Sequence, residues 1–133
     1  MELNKIYNED CLKGAERIPS GSVDLILTDL PYGNMKNAPS TWDTVIDPTE
    51  VHNLANRILR KNGKMILFSQ EPYTTRMITE AIPNLPFNYR AIWEKDMFAN
   101  ALGVNKNMVS FYEDILVFSK THDTDGLHPL REY

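Results

Sequence analysis

The chain has 133 residues, 42% hydrophobic and 24% charged, a length and balance that fit one ordinary folded domain and leave little room for a second. Its 14 Lys+Arg against 18 Asp+Glu give a net charge of -4, the wrong sign for a grip on nucleic acid that relies mainly on phosphate neutralisation, although a local basic strip on an acidic body stays compatible with one. No apolar run reaches the roughly 18 residues of a membrane-spanning helix, Met1-Glu2-Leu3-Asn4-Lys5 lacks the apolar stretch of a secretory signal, and one cysteine with three scattered histidines offers neither an intrachain disulfide nor a zinc spacing; the expectation is one domain over residues 1–133, cytoplasmic, with no membrane partner and no metal.

Lys5-Ile6-Tyr7 is a short strand candidate. Residues 10–18 carry Cys11, Leu12, Ala15 and Ile18 at a helical spacing, with Cys11 read as helix core, until Pro19-Ser20-Gly21-Ser22 breaks the pattern. Residues 23–28 are a mostly apolar, β-rich run, the signature of a strand covered on both faces in a parallel sheet. The clearest helix is predicted over residues 48–62, because Val51, Leu54, Ala55, Ile58 and Leu59 fall at i, i+3, i+4, i+7 and i+8. Asp47 stands three residues before Glu50 in a capping-box-like start, and Asn62-Gly63 supplies the stop. Arg57, Arg60, Lys61 and Lys64 gather at that helix end, and they read as a solvated cluster complementing the helix dipole rather than as a DNA clamp.

Residues 64–69 form the next buried strand. Pro72 opens a helix with Tyr73, Met77, Ile78, Ala81 and Ile82 on its apolar face, and Pro83 closes it. Residues 88–93 and 114–119 then read as two strands with no helix between them, joined by a segment, 94–113, whose length without periodicity points to a functional loop. Strand and helix alternation followed by a strand pair gives an α/β fold whose last two strands are antiparallel neighbours, with ligands at the carboxyl ends of the strands.

Asp29-Leu30-Pro31-Tyr32-Gly33 follows directly on the 23–28 run. It resembles the fourth motif of the amino-methylating DNA methyltransferases, Asp/Asn/Ser-Pro-Pro-Tyr/Phe at the end of an apolar strand, with Leu30 as a departure. Four such residues alone read as a turn, but the flanking runs extend the likeness. Asn8-Glu9-Asp10-Cys11-Leu12 and the run from Ile18-Pro19-Ser20 into Asp29 look like the approach to this motif in the β-group of that family. Asn62-Gly63-Lys64-Met65-Ile66-Leu67-Phe68 is similar to the family's next helix end and strand. Tyr112-Glu113-Asp114-Ile115-Leu116-Val117-Phe118-Ser119-Lys120 resembles its eighth motif, with Tyr112 where a His is common.

The resemblance implies a partial Rossmann-like, S-adenosylmethionine-dependent methyltransferase sheet with helices on both faces, lacking the strands around the Gly-rich loop. It also implies transfer of a methyl group to the N6 amine of a flipped adenine in double-stranded DNA, with cytosine N4 second because the family tends to carry Ser in place of Asp29 for that base. The Asp29 carboxylate and the Leu30 carbonyl would accept the two amine hydrogens, localising a lone pair otherwise delocalised into the ring. Pro31 would stiffen the loop, and Tyr32 would stack on the extruded base.

Asp10 reads equally as a cofactor contact and as a helix cap, and with Cys11 and Asp29 it makes up the cofactor-binding set that the resemblance implies. Trp42, Met97 and Phe98 are candidate walls for the base, although Trp42 and Phe98 read more readily as core aromatics. The six glycines form no Gly-x-Gly loop. In the β-group that loop follows the catalytic motif, so the resemblance makes residues 1–133 an amino-terminal half; the expectation is weak or undetectable S-adenosylmethionine binding by this chain alone, and an exposed apolar strand edge that dimerises, takes a partner strand or marks a stable remnant of a longer product. The competing readings are a catalytically silent fragment or subunit that binds DNA or a protein partner, and a methyltransferase of RNA or of protein glutamine.

Overall fold

The computed structural model describes residues 1–31, 44–99 and 110–123. In chain order the elements are α1 (Cys11–Ala15), β1 (Val23–Asp29), α2 (Pro48–Ile58), β2 (Leu59–Ser69), α3 (Tyr73–Thr79), β3 (Phe87–Ala99) and β4 (Ser110–Ser119). The strands form one sheet in the order β1-β2-β4-β3. β1 is parallel to β2, and β4 is antiparallel to both β2 and β3. The carboxyl ends of β1, β2 and β3 therefore lie together at one end of the sheet. The antiparallel pairing expected of the last two strands is present.

Alternation along the strands sorts the side chains into two faces. On one face Met65 and Leu67 of β2 stand opposite Phe118 and Leu116 of β4, all wholly buried. Val51 and Ala55 of α2, Leu59, and Tyr73 and Met77 of α3 close over them. Each such large side chain, taken fully out of water, contributes about 1.5–3 kcal/mol to folding. Two of the three described helices, α2 and α3, pack on this face. The opposite face carries Leu25 and Leu27 of β1, Ile66 and Phe68 of β2, Ile115 and Val117 of β4, and Tyr89 and Trp93 of β3. It is partly open, with Leu25 49% and Leu27 62% exposed. The expectation that β1 is covered on both faces is thus corrected: within the described residues it is an edge strand, packed on one side through Val23 and Ile26.

Three departures from the sequence reading shape the sheet. Lys5-Ile6-Tyr7 is not a strand, and Ile6 is wholly exposed; three residues with one apolar side chain have no face to bury. α2 starts as expected, with the Asp47 carboxylate accepting from Thr49 N at 2.8 Å and Pro48 in the first turn, but it stops at Ile58 rather than Asn62. Leu59 is already extended and pairs with Val23, so its burial, which completes the helical period, belongs to a strand. The chain then swings through Asn62 at φ 64° and Gly63, where a β-carbon would lie 2.8 Å from the Arg60 carbonyl oxygen. Finally, the segment 94–113 is not one long loop. β3 runs on to Ala99 and β4 begins at Ser110, with a register irregularity between Glu94 and Ala99.

Basic side chains tie these parts together. The Arg57 guanidinium donates to the carbonyls of Ala15 and Ile18, both at 2.7 Å, closing the carboxyl end of α1. Arg60 pairs with Asp24, and Lys64 Nζ donates to Ser119 Oγ at 2.8 Å. Three of the four cations read as a solvated cluster are therefore connectors between elements.

Candidate functional site

β1 delivers Asp29 to the carboxyl end of the sheet, where its cross-strand partner on β2 is Phe68. The Asp29 side chain is exposed and makes no hydrogen bond or ion pair with any described residue. Its carboxyl is held above the usual carboxylate range, first by partial desolvation at the strand end and then by the Glu113 charge, with Lys95 acting in the opposite direction. A carboxylate that spends its lone pairs on no neighbour is available to a ligand.

Four more side chains share this face and this end of the sheet. The Phe68 and Trp93 rings meet edge to face at 5.5 Å between centroids. Trp93 stands opposite Glu113 in the β3/β4 register. Lys95, two residues further along β3, is ion-paired to Glu113 and places Nζ 4.8 Å from the Trp93 ring centroid, within cation–π range. Behind them, on the core face, Thr74 Oγ1 lies 2.7 Å from Asp114 Oδ2 and 2.9 Å from Ser69 Oγ. Asp114 Oδ1 accepts no hydrogen bond among the described residues, and the Arg90 guanidinium is 3.8 Å from it. This network pins the end of β2 to β4 and to α3.

The other residues singled out in the sequence fall in different places. Leu30 packs half-buried against the core, and Pro31 is half-buried beside it. Asp10 Oδ1 accepts from Leu12 N at 2.9 Å and Lys13 N at 3.1 Å, the capping geometry of α1. Cys11 is exposed, which corrects its reading as helix core. Met97 is 79% exposed. Tyr32, Trp42 and the side chain of Phe98 lie outside the described residues. Among the described residues no group of three or more His, Cys, Asp and Glu could hold a metal ion, and no helix is long and apolar enough to cross a membrane.

Sequence reasoning missed Phe68, Trp93 and Lys95 as site residues and gave Glu113 no role. The usable signal was the two-residue step from Trp93 to Lys95, which puts both on one face if the chain there is extended. Reading that stretch as loop concealed it.

No family model matches the chain. It is 30% identical over 133 aligned residues to the type II methyltransferase M.BglII of Bacillus subtilis, covering 90% of this chain and 36% of the relative. It is likewise 30% identical over 125 residues to the DNA adenine methyltransferase YhdJ of Escherichia coli K12, covering 90% of this chain and 42% of the relative. Over 90% of its length the chain is similar to part of two DNA methyltransferases. It spans about two fifths of the length of these relatives. The fold agrees with that of TTHA0409, a candidate DNA modification methylase of Thermus thermophilus, at a TM-score of 0.61 and 17% identity, over 93% of this chain and 53% of that one. The same Thermus protein has been solved in complex with S-adenosyl-L-methionine. In this α/β methyltransferase fold, the strand-end position of Asp29 is where open sheets of this kind take their ligands.

Proposed function

We propose that residues 1–133 carry the amine-orienting half of a DNA methyltransferase active site, acting on the N6 amine of an adenine turned out of the duplex. The observation that carries this reading is the Asp29 carboxylate at the carboxyl end of β1, next to an aromatic pair and engaged by none of the described residues. An exocyclic amine is a poor nucleophile while its lone pair is delocalised. Asp29 and the Leu30 carbonyl accept its two hydrogens and leave the lone pair directed away from them. Attack on the methyl of a sulfonium donor would form the nitrogen–carbon bond as the carbon–sulfur bond breaks to leave a neutral thioether, and the carboxylate would stabilise the positive charge arriving on nitrogen until the surplus amine proton is lost. A carbonyl survives at Leu30, so the departure from Pro spares the acceptor while loosening the backbone that aims it. Tyr32 stacks on the extruded base and offsets part of the few kcal/mol of unstacking, a stack contributing about 1–3 kcal/mol.

The methyl donor of this reading is S-adenosyl-L-methionine, which when bound supplies an electrophilic methyl on a sulfonium. The residues present fit one part of its site. Asp29 stands open at the strand end, and Asp10 and Cys11 sit at the exposed start of α1, although the Asp10 carboxylate is already engaged as a cap. The test is transfer of labelled methyl from S-adenosyl-L-methionine to unmethylated duplex DNA, with the product nucleosides separated. Label in N6-methyladenine supports the reading; label in N4-methylcytosine moves the target to the second base; label in RNA or in protein glutamine rejects DNA.

A second reading has its own observation. The exposed Leu25 and Leu27 on the edge strand β1 favour pairing with another polypeptide strand, a second copy of this chain being the simplest. In that reading these residues also act as one subunit of a larger assembly.

A further inference from the structure

Lys95 belongs to no motif and Glu113 stands in the run that resembles the eighth one; among the described residues their pair has no structural partner besides Trp93 that would account for its place, yet it is nearly enclosed, the two side chains being 24% and 11% exposed. It lies on the same sheet face and at the same end as Asp29, reached through Phe68 and Trp93. Of the elements that meet there, β4 contributes Glu113, β3 contributes Lys95, and β2 contributes the uncharged Phe68; Asp114 and Arg90 stand on the opposite face, with α2 and α3.

We propose that Lys95 is a positioning residue for Asp29: by holding Glu113 in an ion pair, it leaves Asp29 as the one anionic acceptor at the strand end. The inference deepens the amine-orienting reading above and rests on it. Two carboxylates sharing a partly desolvated site repel each other, and without a cation one of them takes up a proton. A protonated Asp29 would have one oxygen turned from acceptor to donor and could not receive both the amine hydrogen and the charge that grows on nitrogen. With Lys95 in place the group carries two negative charges and one positive. It therefore keeps one net negative charge beside a nitrogen that becomes cationic, and Trp93 under the ammonium fixes that cation against β3. The Glu113 charge and the Lys95 charge act on Asp29 in opposite directions, as this arrangement requires.

The test is a carbon-detected NMR titration of the aspartate and glutamate side-chain carboxyls, which needs neither DNA nor methyl transfer and so separates failure of this inference from failure of the functional reading. In Glu113→Gln the Asp29 midpoint falls, by roughly half a pH unit or more, because the repelling charge is gone and Lys95 remains. In Lys95→Met the Asp29 midpoint rises, because the Glu113 charge then acts on it unopposed. Lys95→Arg leaves the Asp29 midpoint near the parent value. Backbone amide spectra report whether each variant is folded; if Lys95→Met is not, Glu113→Gln and Lys95→Arg still decide. An Asp29 midpoint that stays fixed in Glu113→Gln, or that moves upward in it, overturns the proposal.

Discussion

Lys120, at the end of β4, is 1% exposed and donates from Nζ to the carbonyl oxygen of Leu59 at 2.6 Å, and also to that of Asn56 at 2.6 Å. Asn56 is in the last turn of α2 and Leu59 is its C-cap. One ammonium therefore donates to two carbonyls of a helix end and fastens that end to a strand that follows it by some sixty residues in the chain. Its own backbone joins the same corner, with Lys120 N donating to Gly63 O at 3.0 Å and Asn62 N donating to Lys120 O at 2.9 Å.

Replacing this group should be felt as lost stability rather than lost chemistry. Lys120→Met keeps the buried chain length and removes the donors, which costs about 2–3 kcal/mol for charge-assisted bonds to buried carbonyls. Urea denaturation measures it directly. A midpoint unchanged from the parent chain would mean that water satisfies the helix end equally well.

His52 gives the fold an acid sensitivity. It is wholly buried, its Nε2 is 2.9 Å from the Met77 carbonyl oxygen, and its Nδ1 has no hydrogen-bond partner among the described residues. A carbonyl only accepts, so Nε2 carries the proton and the ring is neutral. Burial is the largest cause that lowers its pKa, with the Met77 carbonyl and the Glu80 charge opposing. The unfolded chain therefore binds a proton at His52 more readily than the folded chain does. Stability is unaffected by this group well above pH 6.5, falls as the pH drops below the ordinary histidine value near 6.5, and stops falling once the lowered folded value is passed. Unfolding free energies measured across that interval should show the slope, and His52→Gln, which keeps a donor and cannot titrate, should flatten it. An identical slope in His52→Gln would assign the sensitivity to other groups.

The open side of β1 predicts association. Leu25 and Leu27 leave about half or more of their surface in water beside a strand edge that no described residue pairs with, and such edges pair. Sedimentation at rising concentration should show a growing population of dimer, and Leu25→Glu with Leu27→Glu should abolish it. A sharply monomeric parent chain at high concentration would contradict the prediction.

Most of this fold could be read from local patterns because local patterns caused it. The apolar run ending at Asp29 is β1, Asp47 caps a helix that begins at Pro48, and Met65 with Leu67 lines a buried strand face. What could not be read is contact between distant parts. Leu59 satisfies the helical period and the strand equally, and only its pairing with Val23 decides between them. Arg57 reads as surface charge, and Lys120 as no more than the end of a strand, because the carbonyls they serve lie 39 and 61 positions away. At the site, Asp29 was legible from its place after an apolar run, whereas the Lys95–Glu113 pair depends on β3 and β4 continuing past Trp93 and Asp114, where the sequence lacks an apolar alternation.

The central claim is that the Asp29 carboxylate orients an aromatic amine for methylation. The most direct measurement compares the parent chain with Asp29→Ala in transfer of tritiated methyl from S-adenosyl-L-methionine to unmethylated duplex DNA, under single-turnover conditions with saturating donor. Loss of a charged acceptor that acts on the developing charge should lower the rate by about 10²- to 10³-fold, with label in N6-methyladenine for the parent chain and amide spectra unchanged in the variant. Equal, non-zero rates for the two proteins would contradict the account.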